Sequence, residues 1–171
     1  MQNYFELFDL ETSFFVDDEA LKNAYQAQVT RFHPDNFATK SQKEQLQALQ
    51  STSLLNSAYT ALKTPLNRAS YLLNLEDVNP FDEKDTNMDT NFLVSQIELR
   101  EQLERIKEQQ DKLALDDFIE RVQKFIRDNV ASISEAFTQS RDLQEIKTLV
   151  RELKFYEQLN KEANILMDEW L

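Results

Sequence analysis

The chain has 171 residues, enough for one ordinary domain or two small ones, and its 41% hydrophobic content suffices for packed cores. Glycine and cysteine are absent and histidine occurs once, which excludes disulfides and thiolate metal sites and leaves too few ligands for zinc or haem. A formal charge of −12 opposes binding to a phosphate backbone, whose affinity comes from cations displacing condensed counterions, so nucleic acid is not an expected partner.

Leu, Ala, Glu, Gln and Lys recur throughout, and without glycine the chain lacks hairpin turn chemistry, so the expected fold class is all-α. No apolar run approaches the roughly 20 residues of a membrane helix, and the first residues carry no basic segment followed by an apolar one. A cytoplasmic location without membrane contact is the expectation.

Tyr4, Phe5, Leu7 and Phe8 form an apolar cluster that predicts a short helix ending near Leu10. Asp17 can cap the next helix, with Val16 stapled onto Leu21, and the apolar face continues through Ala24, Tyr25 and Phe32. Pro34 stops this helix, because its ring drives His33 out of the helical region. After a polar loop, Ser41 and Glu44 have the spacing of a capping box, opening a helix whose apolar positions run through Leu46, Leu49, Asn56, Ala58, Tyr59 and Leu62. The two long segments read as an antiparallel hairpin. Pro65 suits the first turn of a short helix capped by Thr64 and carrying Tyr71 and Leu72.

From Asn74 to Asp89 the pattern lapses into Asp, Asn, Glu and Pro80, a linker-like composition. The expected domains are therefore residues 1–73, a linker at 74–89, and a second domain at 90–171. The second should be a three-helix bundle, with apolar faces at Phe92, Leu99, Leu103 and Ile106, at Phe118, Val122, Phe125 and Ile126, and at Leu143, Ile146, Val150 and Leu153.

The single histidine lies in Arg31-Phe32-His33-Pro34-Asp35-Asn36-Phe37, at the mouth of the loop between the two hairpin helices, where side chains face solvent. Proline fixes the backbone there, and a carboxylate can meet a guanidinium through two parallel hydrogen bonds. The bland alternative makes His33 a helix-terminal residue on the dipole and Asp35 a loop cap. Downstream comes Asn56-Ser57-Ala58-Tyr59-Thr60-Ala61-Leu62-Lys63-Thr64-Pro65, with Arg68 and Tyr71 beyond. The arrangement resembles the J-domain of DnaJ-type co-chaperones. That resemblance implies that His33, Pro34 and Asp35 activate a chaperone ATPase, with Asp35 pairing with an arginine of the partner and Lys22 and Arg31 as the basic residues of the preceding helix. Fewer cations stand on that helix than the family usually carries, and Asn36 replaces a lysine often found after the triplet.

The Gly/Phe-rich and cysteine zinc regions of generalist J-domain proteins cannot be built from this composition. Tyr4-Phe5-Glu6-Leu7-Phe8, Arg68-Ala69-Ser70-Tyr71-Leu72-Leu73 and Ile97-Glu98-Leu99-Arg100-Glu101 are instead similar to the HscB family, over nearly the whole chain. At about 100° per residue, Leu93, Val94, Ile97, Glu98 and Glu101 fall opposite the core stripe of their helix, and Phe155 falls off the face of Ile146, Val150 and Leu153. Apolar groups bordered by carboxylates suggest an interface. A plainer reading packs Leu93 and Ile97 against the J-domain or the linker. The resemblance implies that Leu93, Val94, Ile97, Glu98, Glu101 and Phe155 bind the iron-sulfur scaffold IscU and that the chaperone is the DnaK-class HscA; Arg105 stands where an acidic residue is frequent. The expectation is an adaptor with no catalytic residue and no cofactor, since the chain has no phosphate-cradling glycine loop, thiol nucleophile or second histidine. Its rivals are a general J-domain co-chaperone and a helical adaptor that stimulates no ATPase.

Overall fold

Helix caps and prolines divide the chain, and the computed structural model, which describes residues 2–85 and 88–171, places seven α-helices and no strand among them. They are α1 (Tyr4–Leu7), α2 (Asp18–Arg31), α3 (Gln42–Leu62), α4 (Pro65–Leu75), α5 (Thr90–Gln109), α6 (Lys112–Thr138) and α7 (Leu143–Glu169), with a single 3₁₀ turn, Pro34–Phe37, between α2 and α3. The fold is all-α, a helical hairpin with short flanking helices followed by a three-helix bundle. By internal packing the chain divides into two compact units, one ending at Leu72 and the other beginning at Leu73.

Caps set most of the boundaries. Asp17 accepts from the amides of Glu19 and Ala20, Asp89 from Asn91, Asp111 from Ala114, and Asp142 from Gln144 and Glu145. Thr64 accepts from Asn67 at the start of α4, as Pro65 in a first turn predicts. The full reciprocal capping box forms at α1, between Asn3 and Glu6; at α3 only the Ser41 half of the expected box is present, accepting from the Glu44 amide. The first helix is shorter than its apolar cluster suggests, because the chain turns at Asp9, whose φ is +54°. Gln110 and Arg141 also adopt positive φ at helix ends, positions that glycine usually fills and that this composition assigns to other residues.

In the first unit Phe5, Phe8, Leu21, Leu55, Ala58 and Leu62 form the buried cluster, with Val16, Tyr25 and Tyr59 packed on it. Tyr25 stacks on Tyr59 at 4.2 Å between ring centroids and donates its hydroxyl to Asn56, which sets the middle of α2 against the C-terminal part of α3, away from the connecting turn. The α3 face differs from the sequence expectation. Ala48, Leu55, Ala58 and Leu62 are buried, whereas Leu46 and Leu49 are 54% and 63% exposed. At about 100° per residue Leu49 lies about 120° and Leu46 about 180° from Leu55, so two apolar residues counted into the stripe belong to the solvent side.

Arg68 is a buried cation holding this unit together. Its Nη1 donates to the Leu62 carbonyl at 2.9 Å and lies 3.9 Å from Asp18, and its guanidinium sits over the Phe14 ring at 5.2 Å. Burial pulls its pKa below the ordinary arginine value against the opposing pull of Asp18, and its Nε has no hydrogen-bond partner.

In the second unit α6 and α7, each 27 residues, run against one another across a short turn, and α5 packs on both. Phe92, Leu99, Leu103 and Ile106 turn inward from α5, Phe118 and Val122 from α6, and Ile146, Val150 and Leu153 from α7, as their spacing predicts; Phe125 and Ile126 are only partly buried. No helix among the described residues is long and apolar enough to cross a membrane.

Candidate functional site: a helical-hairpin tip and an apolar helix face

The tip of the hairpin is built by residues on either side of it. His33 has extended geometry, φ −60° and ψ 139°, as a residue before proline must, and the 3₁₀ turn Pro34–Phe37 follows. The Asp35 amide donates to His33 Nδ1 at 3.2 Å. With Nδ1 taken up as the acceptor of that bond, Nε2 is the ring edge left facing outward. Asp35 Oδ2 also lies 3.5 Å from Nδ1, beside the shorter backbone hydrogen bond. The imidazole is 54% exposed and the carboxylate 90%.

Three polar side chains outside the triplet pin this turn. Asn36 Nδ2 donates to the Thr30 carbonyl at 2.8 Å, tying the turn to the end of α2. Gln45 Nε2 donates to the carbonyls of Phe37 and Lys40 at 3.1 and 3.2 Å, tying it to the first turn of α3. Thr52 Oγ1 reaches the Phe32 carbonyl at 3.4 Å, and Phe32 and Phe37 stack at 6.5 Å between centroids. Sequence reasoning missed Gln45 and Thr52, which look like ordinary helix-surface residues, and read Asn36 only as a departure from lysine. Its amide closes the loop.

The cations named for this face are not gathered together. Arg31 sits at the tip, its guanidinium 5.4 Å from the Phe32 ring centre. Lys22 is exposed nine residues earlier in α2, about 180° around the helix from Arg31 and about 14 Å back along it.

The second candidate face lies on α5 and α7. Leu93, Val94 and Ile97 are 40%, 48% and 59% exposed, and Glu98 and Glu101 are exposed beside them. Ile97, Arg100, Glu101, Glu104, Arg105 and Glu108 line a shallow depression that continues this face down α5. Phe155 is less open than its position off the core stripe suggests. It is partly buried, packs edge-on against Phe92 at 5.8 Å, and lies under the Arg100 guanidinium at 5.4 Å, which Glu162 holds with a 2.9 Å bond. The neighbouring Tyr156 hydroxyl has its pKa raised, first by burial and then by Glu152; Glu152 is itself raised by burial and by Asp89.

The amino-acid sequence is 38% identical over 170 residues to the co-chaperone protein HscB homolog of Vibrio campbellii, covering 99% of each chain. The chain belongs to the HscB co-chaperone family. The structure of the chaperone HscB from Vibrio cholerae matches with a TM-score of 0.88 and 38% identity, over 99% of this chain and all of that one. Human co-chaperone HscB matches with the same TM-score and 29% identity, over 96% of this chain and 81% of its own. The family model described as the HSCB C-terminal oligomerisation domain covers residues 88–164, which contain all of α5 and α6 and most of α7. Within the HscB family the hairpin unit is the J-domain, and the homologues are co-chaperones rather than enzymes.

Proposed function

We propose that this co-chaperone stimulates ATP hydrolysis by the DnaK-class chaperone HscA and brings the iron-sulfur scaffold IscU to it in the cytoplasm. The observation that carries the reading is the tip itself. An exposed imidazole and an exposed carboxylate flank a proline, on a turn already held by Asn36, Gln45 and the Phe32–Phe37 stack. A partner docking there has little loop to order, and Asp35 offers both oxygens to an arginine fork. His33, Pro34 and Asp35 act on the chaperone, with Arg31 beside them and Lys22 further along α2. Hydrolysis takes place in the partner.

On α5, Leu93, Val94 and Ile97 form an apolar centre with Glu98 and Glu101 at its edge, the arrangement of a small interface with a polar rim. IscU docks on this face, and Phe155 supports it from α7. Carrying both sites on one chain raises the scaffold's effective concentration at the chaperone.

Steady-state ATP hydrolysis by HscA, measured with and without IscU, tests both interfaces. The chain and IscU together should stimulate more than the sum of their separate effects, and His33→Gln and Asp35→Asn should abolish the chain's contribution while leaving the fold intact. Equal stimulation by the unaltered chain and both variants would refute the docking assignment.

A further inference from the structure

The segment between α4 and α5 carries an attachment that neither proposed interface uses. On α7, Lys147, Arg151 and Lys154 recur at a spacing of four and three residues, forming a basic stripe along one face of an acidic protein. Opposite that stripe runs Phe81-Asp82-Glu83-Lys84-Asp85, with three carboxylates in five residues. Asp85 pairs with Lys147, and its Oδ2 lies 3.7 Å from Arg151. The two cations are only 13% and 18% exposed, so their contact with the carboxylate is largely withdrawn from solvent. Lys154 Nζ sits 4.3 Å from the centre of the Phe81 ring.

The segment is shaped for this contact by its own turns. Asn79 Oδ1 accepts from the Phe81 amide and Asp82 Oδ1 from the Lys84 amide, while the Asp85 amide returns to the Asp82 carbonyl, all at 3.0 Å. Pro80 is buried at its start. Successive Asx turns thus hold an aromatic ring and a carboxylate against one helix.

We propose that residues 79–85 form an ionically latched strap, closed on α7 by Asp85 and Phe81, that opens and closes as a unit. Two nearly buried cations without their carboxylate must regain water, so loss of the latch exposes the whole segment rather than leaving an empty contact. In sequence the strap precedes Asp89, the cap of α5. The inference goes beyond the chaperone reading and stands or falls independently of scaffold binding.

Lys84 is exposed within the strap and gives trypsin a reporter bond whose cleavage requires the segment to open. The full chain is compared with Lys147→Gln/Arg151→Gln and with Phe81→Ala, none of which alters the residues at the scissile bond. Cleavage after Lys84 should accelerate at least about tenfold in the double variant and severalfold in Phe81→Ala, with the helical circular-dichroism signal retained. In the unaltered chain the rate, normalised to a free peptide of the same sequence, should rise between about 0.1 and about 1 M salt, as the screening length falls from about 10 to about 3 Å. The normalised salt effect should be absent from the double variant. Cleavage of both variants at the unaltered rate would overturn the proposal, and because Phe81→Ala leaves α7 untouched, global unfolding of the double variant would not hide that result.

Discussion

If the hairpin tip acts because it is held ready, loosening it should weaken docking without removing the activating groups. The perturbation is Asn36→Ala/Gln45→Ala, which deletes three hydrogen bonds, to the carbonyls of Thr30, Phe37 and Lys40. Each such bond contributes about 0.5–1.5 kcal/mol net, and because the freed carbonyls lie in an exposed loop and take up water, the low end applies, giving about 1.5 kcal/mol in total. That is about a tenfold fall in the population of the docking conformation relative to its competitors. HscA ATPase activity, titrated with the chain, should therefore show a half-maximal concentration raised severalfold, up to a limit of about tenfold reached when competing conformations dominate, with the maximal rate unchanged. His33→Gln should instead remove the maximal rate. A double variant whose half-maximal concentration stays within about twofold of the unaltered chain would show that these bonds do not prepare the tip and refute the reasoning.

Truncating the α5 face with Leu93→Ala/Ile97→Ala should weaken IscU binding by more than about 2 kcal/mol in calorimetry, the cost typical of central anchors, with little change in melting temperature because both side chains are exposed. Arg68→Ala should destabilise the first unit by about 3 kcal/mol, read from urea unfolding, since it strips the Leu62 carbonyl and the Phe14 ring of a buried partner; Asp18→Asn should cost under about 1 kcal/mol, because that carboxylate is 83% exposed. Glu157 has its pKa raised by burial, so the folded state holds its proton more tightly than the unfolded state does. The associated stability is fully present below about pH 4.5 and is lost as pH rises through the raised value. Glu157→Gln should accordingly raise the urea midpoint at pH 7, with the gain over the unaltered chain vanishing in acid; a pH-independent difference would contradict this assignment.

The bundle was legible because its helices are long and their inward stripes nearly uniform. Phe92, Leu99, Leu103 and Ile106 recur at one angle, and a mistake at any single position does not move the face. In α3 the same counting placed Ala58 and Leu62 correctly but failed at Leu46 and Leu49, which are apolar yet exposed, while the buried side is completed by Ala48 and Leu55, which the counting left out. The His33-Pro34-Asp35 turn could be placed from proline geometry alone. Its supports could not, because nothing local distinguishes Gln45, which donates to two carbonyls, from Gln47 or Gln50 on the same helix. Asp85 escaped for a related reason. Its composition reads as a linker, and its partners Lys147 and Arg151 lie more than sixty residues away in sequence.

The division of the chain gives the proposed functions a clean experimental separation. The tip depends on α2, α3 and the polar side chains between them, all within the first unit, whereas the α5 face rests on Phe92, Phe155 and the core of the second. Substitutions in different units that share no contacts usually add in their energetic effects. His33→Gln should then leave scaffold affinity intact, and Ile97→Ala should leave scaffold-independent ATPase stimulation intact. The cooperative effect of chain and scaffold on HscA, by contrast, should disappear with either change, because effective concentration depends on both attachments being occupied at once. A generalist co-chaperone would show the first dependence without the second, and an adaptor that stimulates nothing would show neither. Loss of synergy in both variants, with each separate activity preserved in one of them, therefore identifies a coupled adaptor rather than two unrelated binding surfaces on one chain.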